Sequence, residues 1–246
     1  MVKSIIQLYI SKKSGVIMQL VDIQKLFDYE FIRTVMTSLR KANMNKKAYR
    51  CWFKLNQKTV ISVATPAGMS EKAEVGETVA QGSGGAALAS GADVAQGLEG
   101  QFLGSLDEIS YGWVRLQPLA YQGDINRLAL NVNSTRAGSQ KLSCLMDRKG
   151  LRCHPTKTVC IAIGTPKYRE GVQKEIKEDP VMFGDFQMKF VENEVYLGDT
   201  VSSQGLEKSV EMTIENRVGK IKGAMYEAKS IMEDFRMQAV GGMAGA

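Results

Sequence analysis

Between Ile17 and Ile23 the chain is apolar except at Gln19 and Asp22. A run of this length predicts a buried strand. It delivers Asp22 near its end, where a carboxylate requires a partner or an ion. From Tyr29 to Met44 the residues Ile32, Val35, Met36 and Leu39 recur at helical spacing and predict a helix. Thr59 to Thr65 alternates as a strand does and stops at Pro66-Ala67-Gly68, a turn signal, so a hairpin is predicted there. Gln81 to Gly104 is rich in glycine and alanine. Its middle, Ala86 to Ala95, predicts a short helix whose small side chains admit close approach of a backbone or ligand.

In the second half, Leu116 to Tyr121 and Ile125 to Leu130 predict two short strands about a tight turn at Gln122-Gly123-Asp124. Ser134 is the predicted cap of a helix that buries Leu142, Leu145 and Met146, and Gly150 is its stop. Val159 to Ile163 predicts another strand, Thr165 to Asp179 a polar surface excursion, and Val195 to Val201 a return to strand. Glu207 to Met237 predicts a long amphipathic helix. Val210, Ile214, Val218, Ile221, Met225, Ala228, Met232 and Phe235 follow one another in threes and fours, a continuous packing stripe. Gly241 to Ala246 is expected to fray. Helices mixed with short antiparallel strands give an α+β class.

Composition narrows this picture little. The chain of 246 residues suffices for one large domain or two small ones, and 44% hydrophobic residues allow a sizeable core. A net charge of +6 suits a polyanion partner or an ordinary solvated surface equally. The basic excess gathers at Arg40, Lys41, Lys46, Lys47, Arg50, Lys54 and Lys58, with Tyr49, Trp52 and Phe53 between them. Two readings stand: a solvated helix face with its aromatic side docked on the core, or a patch that tracks phosphates. Cys51, Cys144, Cys153 and Cys160 lack paired spacing, and His154 is the one histidine, so a zinc site is not expected. Few cysteines suit a reducing compartment. Ile5 to Ile10 is too short for a signal peptide's apolar region, and no run reaches the ~18 apolar residues of a membrane span. A soluble, intracellular protein with no membrane partner is expected, with nucleus and cytoplasm both open.

Five motifs, in order, resemble the reverse transcriptase palm of non-LTR retrotransposons. Leu20 to Asp28 looks like motif A, with Asp22 as the metal-binding aspartate and Phe27 the aromatic five positions on. Gln81-Gly82 resembles motif B, set against template and incoming nucleotide. Tyr121-Gln122-Gly123-Asp124 resembles the Tyr-x-Asp-Asp hairpin of motif C. Gly150-Leu151 with Pro155-Thr156-Lys157-Thr158 resembles motif D, whose lysine, here Lys157, lies near the phosphates. Tyr196-Leu197-Gly198 looks like the primer-side motif E. The resemblance spans Val16 to Phe235.

This resemblance implies a palm-like antiparallel sheet with packed helices over residues 1–205 and the start of a thumb over 206–246. It implies RNA-templated DNA synthesis by two-metal nucleotidyl transfer. Asp22 and Asp124 would be catalytic and would hold Mg²⁺ or Mn²⁺. Phe27, Gln81, Gly82, Tyr121 and Lys157 would contact dNTP or an RNA or DNA primer–template. Magnesium takes hard oxygen ligands in an octahedron, which carboxylates supply. Phe27 would exclude a 2′-hydroxyl; read without the motif, it is a core aromatic.

One departure dominates. Where the family has two adjacent aspartates, this chain has Gly123 and Asp124. Glycine cannot ligate a metal, so two carboxylates stand where three are expected. Removing one transition-state contact costs about 10²–10³ in rate, so severe impairment is expected. Asp28 is not expected to substitute. Few residues precede Asp22, so the fingers are expected to be largely absent, as in a partial, degraded copy. The alternatives are a non-catalytic nucleic-acid-binding module and an interaction fragment that self-associates through the 207–237 helix. A G-x-G-x-x-A match at Gly82 to Ala87 keeps nucleotide-dependent oxidoreduction as a remote rival, which requires a parallel sheet.

Overall fold

The computed structural model describes residues 14–30, 32–56, 60–74, 85–102, 109–111 and 114–243. In chain order these form β1 (Gly15–Gln24), α1 (Leu26–Tyr29), α2 (Ile32–Lys41), α3 (Lys46–Asn56), β2 (Val60–Ile61), β3 (Ala64–Thr65), β4 (Gly68–Met69), β5 (Ala73–Glu74) and α4 (Ala86–Phe102). Then come β6 (Ile109–Tyr111), β7 (Val114–Leu116), β8 (Leu119–Tyr121), β9 (Asp124–Ala129), α5 (Val132–Lys149), β10 (Arg152–Cys153), β11 (Val159–Gly164) and α6 (Pro166–Glu178). The last are β12 (Met182–Phe183), β13 (Phe186–Gln187), β14 (Lys189–Phe190), β15 (Asn193–Tyr196), β16 (Asp199–Ser202) and α7 (Leu206–Met243). The class is α+β.

The main sheet runs in the order β14-β11-β1-β9-β8, with β10 also pairing β1. Its pairs are antiparallel except β11 with β14, so the sheet is mixed rather than wholly antiparallel. β1 lies at its centre and is buried on both faces, which is why its sequence is almost continuously apolar. One face, with Ile17, Val21 and Ile23, packs under α4 and α5 against Val94, Leu98, Leu142, Leu145 and Met146. The other, with Val16, Met18 and Leu20, packs against Ile109, Ile161 and Val201. Each fully buried aliphatic side chain contributes about 1.5–3 kcal/mol, and β1 is held in register by its antiparallel ladders with β9 and β11.

Several sequence expectations are corrected. The first helix begins at Ile32 and ends at Lys41, after the separate turn α1. The expected Ala86–Ala95 helix runs on to Phe102. The expected strand from Leu116 to Tyr121 is split, because Gln117 and Pro118 separate β7 from β8; Pro118 has no N–H to give a ladder. Asn131, not Ser134, caps α5: its side chain accepts from the Ser134 N–H. Gly150 ends that helix in the left-handed region (φ 67°), as expected.

The stretch taken for a surface excursion is the helix α6, with Thr165 as cap and Pro166 in its first turn. The expected strand from Val195 to Val201 is a hairpin, turning at Leu197 (φ 50°) and Gly198 (φ 83°). Of the end expected to fray, Gly241 to Met243 continue α7, and residues 244–246 lie outside the described residues. The hairpin at Pro66-Ala67-Gly68 is present as β3–β4.

A second apolar cluster joins α2, α3 and α4 through Ile32, Val35, Met36, Trp52, Ala86 and Ala89. Phe27, Tyr49 and Phe53 pack against it. The aromatic side of the basic segment is therefore docked on the core, and Lys46, Lys47, Arg50 and Lys54 face solvent.

Candidate active site at the end of the central sheet

The antiparallel register of β1 and β9 sets Asp22 directly opposite Asp124. The neighbouring pair is hydrogen-bonded, Ile23 N–H to the Gly123 carbonyl at 2.8 Å. Asp22 and Asp124 therefore form a non-hydrogen-bonded pair, the kind whose side chains come closer. Successive side chains alternate faces, so Asp22 shares the face of Val16, Met18 and Leu20.

The turn that presents Asp124 is tight. Gln122 adopts φ 54°, and the Gly123 N–H donates to the Tyr121 carbonyl at 2.9 Å. A Cβ at Gly123 would meet only ordinary contacts, the nearest being the Ile23 carbonyl oxygen at 3.5 Å. Gly123 is outside the left-handed region, so the fold does not demand glycine there.

Residues 154–158 fasten the other side of Asp22. Its carbonyl accepts from the His154 N–H at 2.8 Å, and its own N–H donates to Thr158 Oγ1 at 3.3 Å. This loop places Lys157 Nζ 3.5 Å from Asp22 Oδ2. Burial and then the charge of Asp22 raise the pKa of Asp124, and Lys157 opposes them. Burial and then Asp124 push the Tyr196 phenol up to about 12. Cys153, opposite Ile23, is likewise held as a thiol, its pKa raised to about 12 by burial, Asp22 and Asp147.

Asp22, Asp124, Lys157 and Tyr121 are thus brought to one end of the sheet. Tyr121 is exposed and lines, with Tyr196, a cleft of about 630 Å³ between the sheet, the β15–β16 hairpin and the first turns of α7. Phe27 is elsewhere in its contacts: half-buried, it packs on the α2–α4 cluster, as a core aromatic does. Gln81 and Gly82 lie outside the described residues, as does Gly82-Ser83-Gly84 of the G-x-G-x-x-A match. Asp28 is described in its backbone alone. The hold of His154 and Thr158 on the Asp22 backbone is not visible in the sequence, although Thr158 lies in the segment that resembles motif D.

Among the described residues, no three His, Cys, Asp or Glu side chains converge as a metal site. Asp22 and Asp124 offer hard oxygen donors suited to one divalent ion, with water or phosphate completing its shell. Lys157 competes for Asp22. The donor set does not fit a pair of ions.

Among the described residues, no helix is long and apolar enough to cross a membrane. No protein-family model matches the chain, and no curated protein matches it.

Proposed function

We propose that this chain is a palm of the reverse transcriptase class whose catalytic carboxylates are reduced to Asp22 and Asp124, with RNA-templated DNA synthesis severely impaired. The observation that carries the reading is the placement of Asp22 against Asp124 across adjacent antiparallel strands, with Lys157 3.5 Å from Asp22. The residues come from three motifs spread over 136 positions of sequence, and a one-residue slip of register would separate them. The raised pKa of Asp124 also supports it, since a cation would offset the desolvation of its carboxylate and the repulsion from Asp22.

A divalent ion held there would polarise a phosphoryl oxygen. Asp22 and Asp124 would supply its anionic ligands, and Lys157 would stand beside the developing phosphate charge. With Gly123 in place of a carboxylate, a second ion lacks its shared ligand.

Primer extension on an RNA template with Mg²⁺ or Mn²⁺ tests the reading. The expected result is little or no extension by the wild-type chain and a gain for Gly123→Asp. Strong extension by the wild type that is lost on Asp22→Ala would overturn the impairment, and extension that survives Asp22→Ala would overturn the site as well.

The exposed row Lys46, Lys47, Arg50 and Lys54 on α3 favours a second reading, non-catalytic binding of nucleic acid. Its aromatics are turned inward, which leaves electrostatics without stacking. The affinity should then fall steeply with salt and be indifferent to Asp22→Ala.

A further inference from the structure

Glu30 follows α1 directly, and its N–H closes that turn onto the Leu26 carbonyl at 3.0 Å. Its side chain is turned inward, 2% exposed, at the junction where α1 and α2 meet α4 and α5. Both carboxyl oxygens are buried without a hydrogen bond among the described residues. The charged groups facing it are Asp93 of α4 and Lys149 of α5; α4 also brings the Ser90 hydroxyl beside it.

Both oxygens of Asp93 are already engaged. Ser38 of α2 donates to Oδ1 at 2.5 Å, and Lys149 Nζ lies 2.5 Å from Oδ2. Lys149, the cation that faces Glu30 among the described residues, is already engaged by a carboxylate that is itself 1% exposed. Gln96 Nε2 donates to the Ser38 carbonyl at 2.5 Å, completing a polar seam between α2 and α4. Among the described residues, two buried carboxyls share one cation at this seam.

We propose that Glu30 is a proton-operated latch: uncharged, it lets the α1–α2 corner close on α4 and α5, and ionised, it drives that corner away. Burial is the largest cause, and the charge of Asp93 and a hydrogen bond from protonated Glu30 to Asp93 add to it; Ser90 and Lys149 oppose them, and the carboxyl is pushed from 4.5 up to about 7. The corner carries Phe27, Ile32, Val35 and Met36, and through them the cluster that seats Trp52 of the basic helix α3. Opening it loosens α2 and α3 while the sheet stays paired.

The sign follows from linkage. A carboxyl raised in the folded state binds its proton more tightly folded than unfolded. Stability is therefore lost as pH rises from about 4.5, and the loss is complete above about 7. Over that window the folding constant should fall about 10²-fold relative to Glu30→Gln.

The test pairs two measurements. Denaturant unfolding between pH 5 and pH 8 compares wild type with Glu30→Gln, and carboxyl ¹³C NMR follows Glu30 itself in the wild type. The expected result is a wild-type stability loss that Glu30→Gln lacks, with Glu30 titrating near neutrality. Parallel profiles for the two proteins, or a Glu30 midpoint in the ordinary glutamate range, would overturn the latch. The NMR arm decides even if the variant fails to fold.

Discussion

Asp22 and Asp124 face each other across β1 and β9, and burial, with the charge of Asp22 adding to it, raises the pKa of Asp124 above its unfolded value of 3.8. Ionised Asp124 is then a cost to the fold that grows as pH rises above that value. Asp124→Asn should stabilise the protein at pH 7, by less than about 1 kcal/mol because solvent screens a partly exposed group. The gain should vanish near pH 3. Urea unfolding at both pH values checks this.

Arg127 is 4% exposed and spans the inside of the core. Its Nη1 donates to Gln19 Oε1 at 2.7 Å, its guanidinium lies 5.5 Å from the centre of the Phe102 ring, and Gln19 Nε2 donates to Ser139 Oγ at 2.7 Å. Gly138 is what makes room, since a Cβ there would stand 2.2 Å from Arg127 Nη1. Gly138→Ala should cost about 1–3 kcal/mol through overpacking, despite alanine's better helix propensity. The denaturation midpoint reads it.

The helix α7 is fastened to β16 by two hydroxyls. Ser209 Oγ accepts from the Ser202 N–H at 2.9 Å, and Thr213 Oγ1 from the Thr200 N–H at 2.8 Å. The spacing matches because four helical residues rise about 6 Å and two strand residues about 6.6 Å. Thr200 and Ser202 are buried, so Ser209→Ala or Thr213→Val should each cost about 1–3 kcal/mol by orphaning a donor. Faster amide exchange at residues 200 and 202 would accompany the loss.

Beyond that anchor the apolar stripe of α7 is uncovered: Val218, Ile221 and Met225 are exposed. Ile221→Glu should change unfolding free energy by less than ~0.5 kcal/mol. Sedimentation then reads self-association directly: an oligomer that falls to monomer on Ile221→Glu supports pairing through this stripe, and an unchanged mass places any association elsewhere.

What the sequence revealed depended on how local the signal was. β1 and β11 were legible because strands buried on both faces are written as apolar runs. The α5 stop at Gly150 was legible because the left-handed cap favours glycine. The helix α6 was missed because only Val172 is buried along it, which leaves no apolar stripe. Its markers, Thr165 as cap and Pro166 in the first turn, were present but outweighed by polarity. The β15–β16 turn was hidden because Leu197 takes a left-handed conformation that leucine rarely adopts. At the site, Asp22 and Asp124 were legible as motifs, but Lys157 reaching Asp22 depends on how residues 154–158 hold the strand end. The Gln19–Arg127 bond joins residues 108 apart, and no local pattern announces it.

In the function proposed above, Asp22 and Asp124 are the surviving ligands of a palm metal site from which Gly123 has removed the third. The fold accepts a side chain at Gly123, with the nearest contact at 3.5 Å, so Gly123→Asp should fold with a stability change within about 1 kcal/mol. Mn²⁺ binding, followed by paramagnetic relaxation of solvent water, reads this site. The predicted result is weak binding by wild type, tightening at least about tenfold in Gly123→Asp, a gain of about 1.4 kcal/mol, and loss of binding on Asp22→Asn. Equal affinity in wild type and Gly123→Asp, or binding that survives Asp22→Asn, would contradict it.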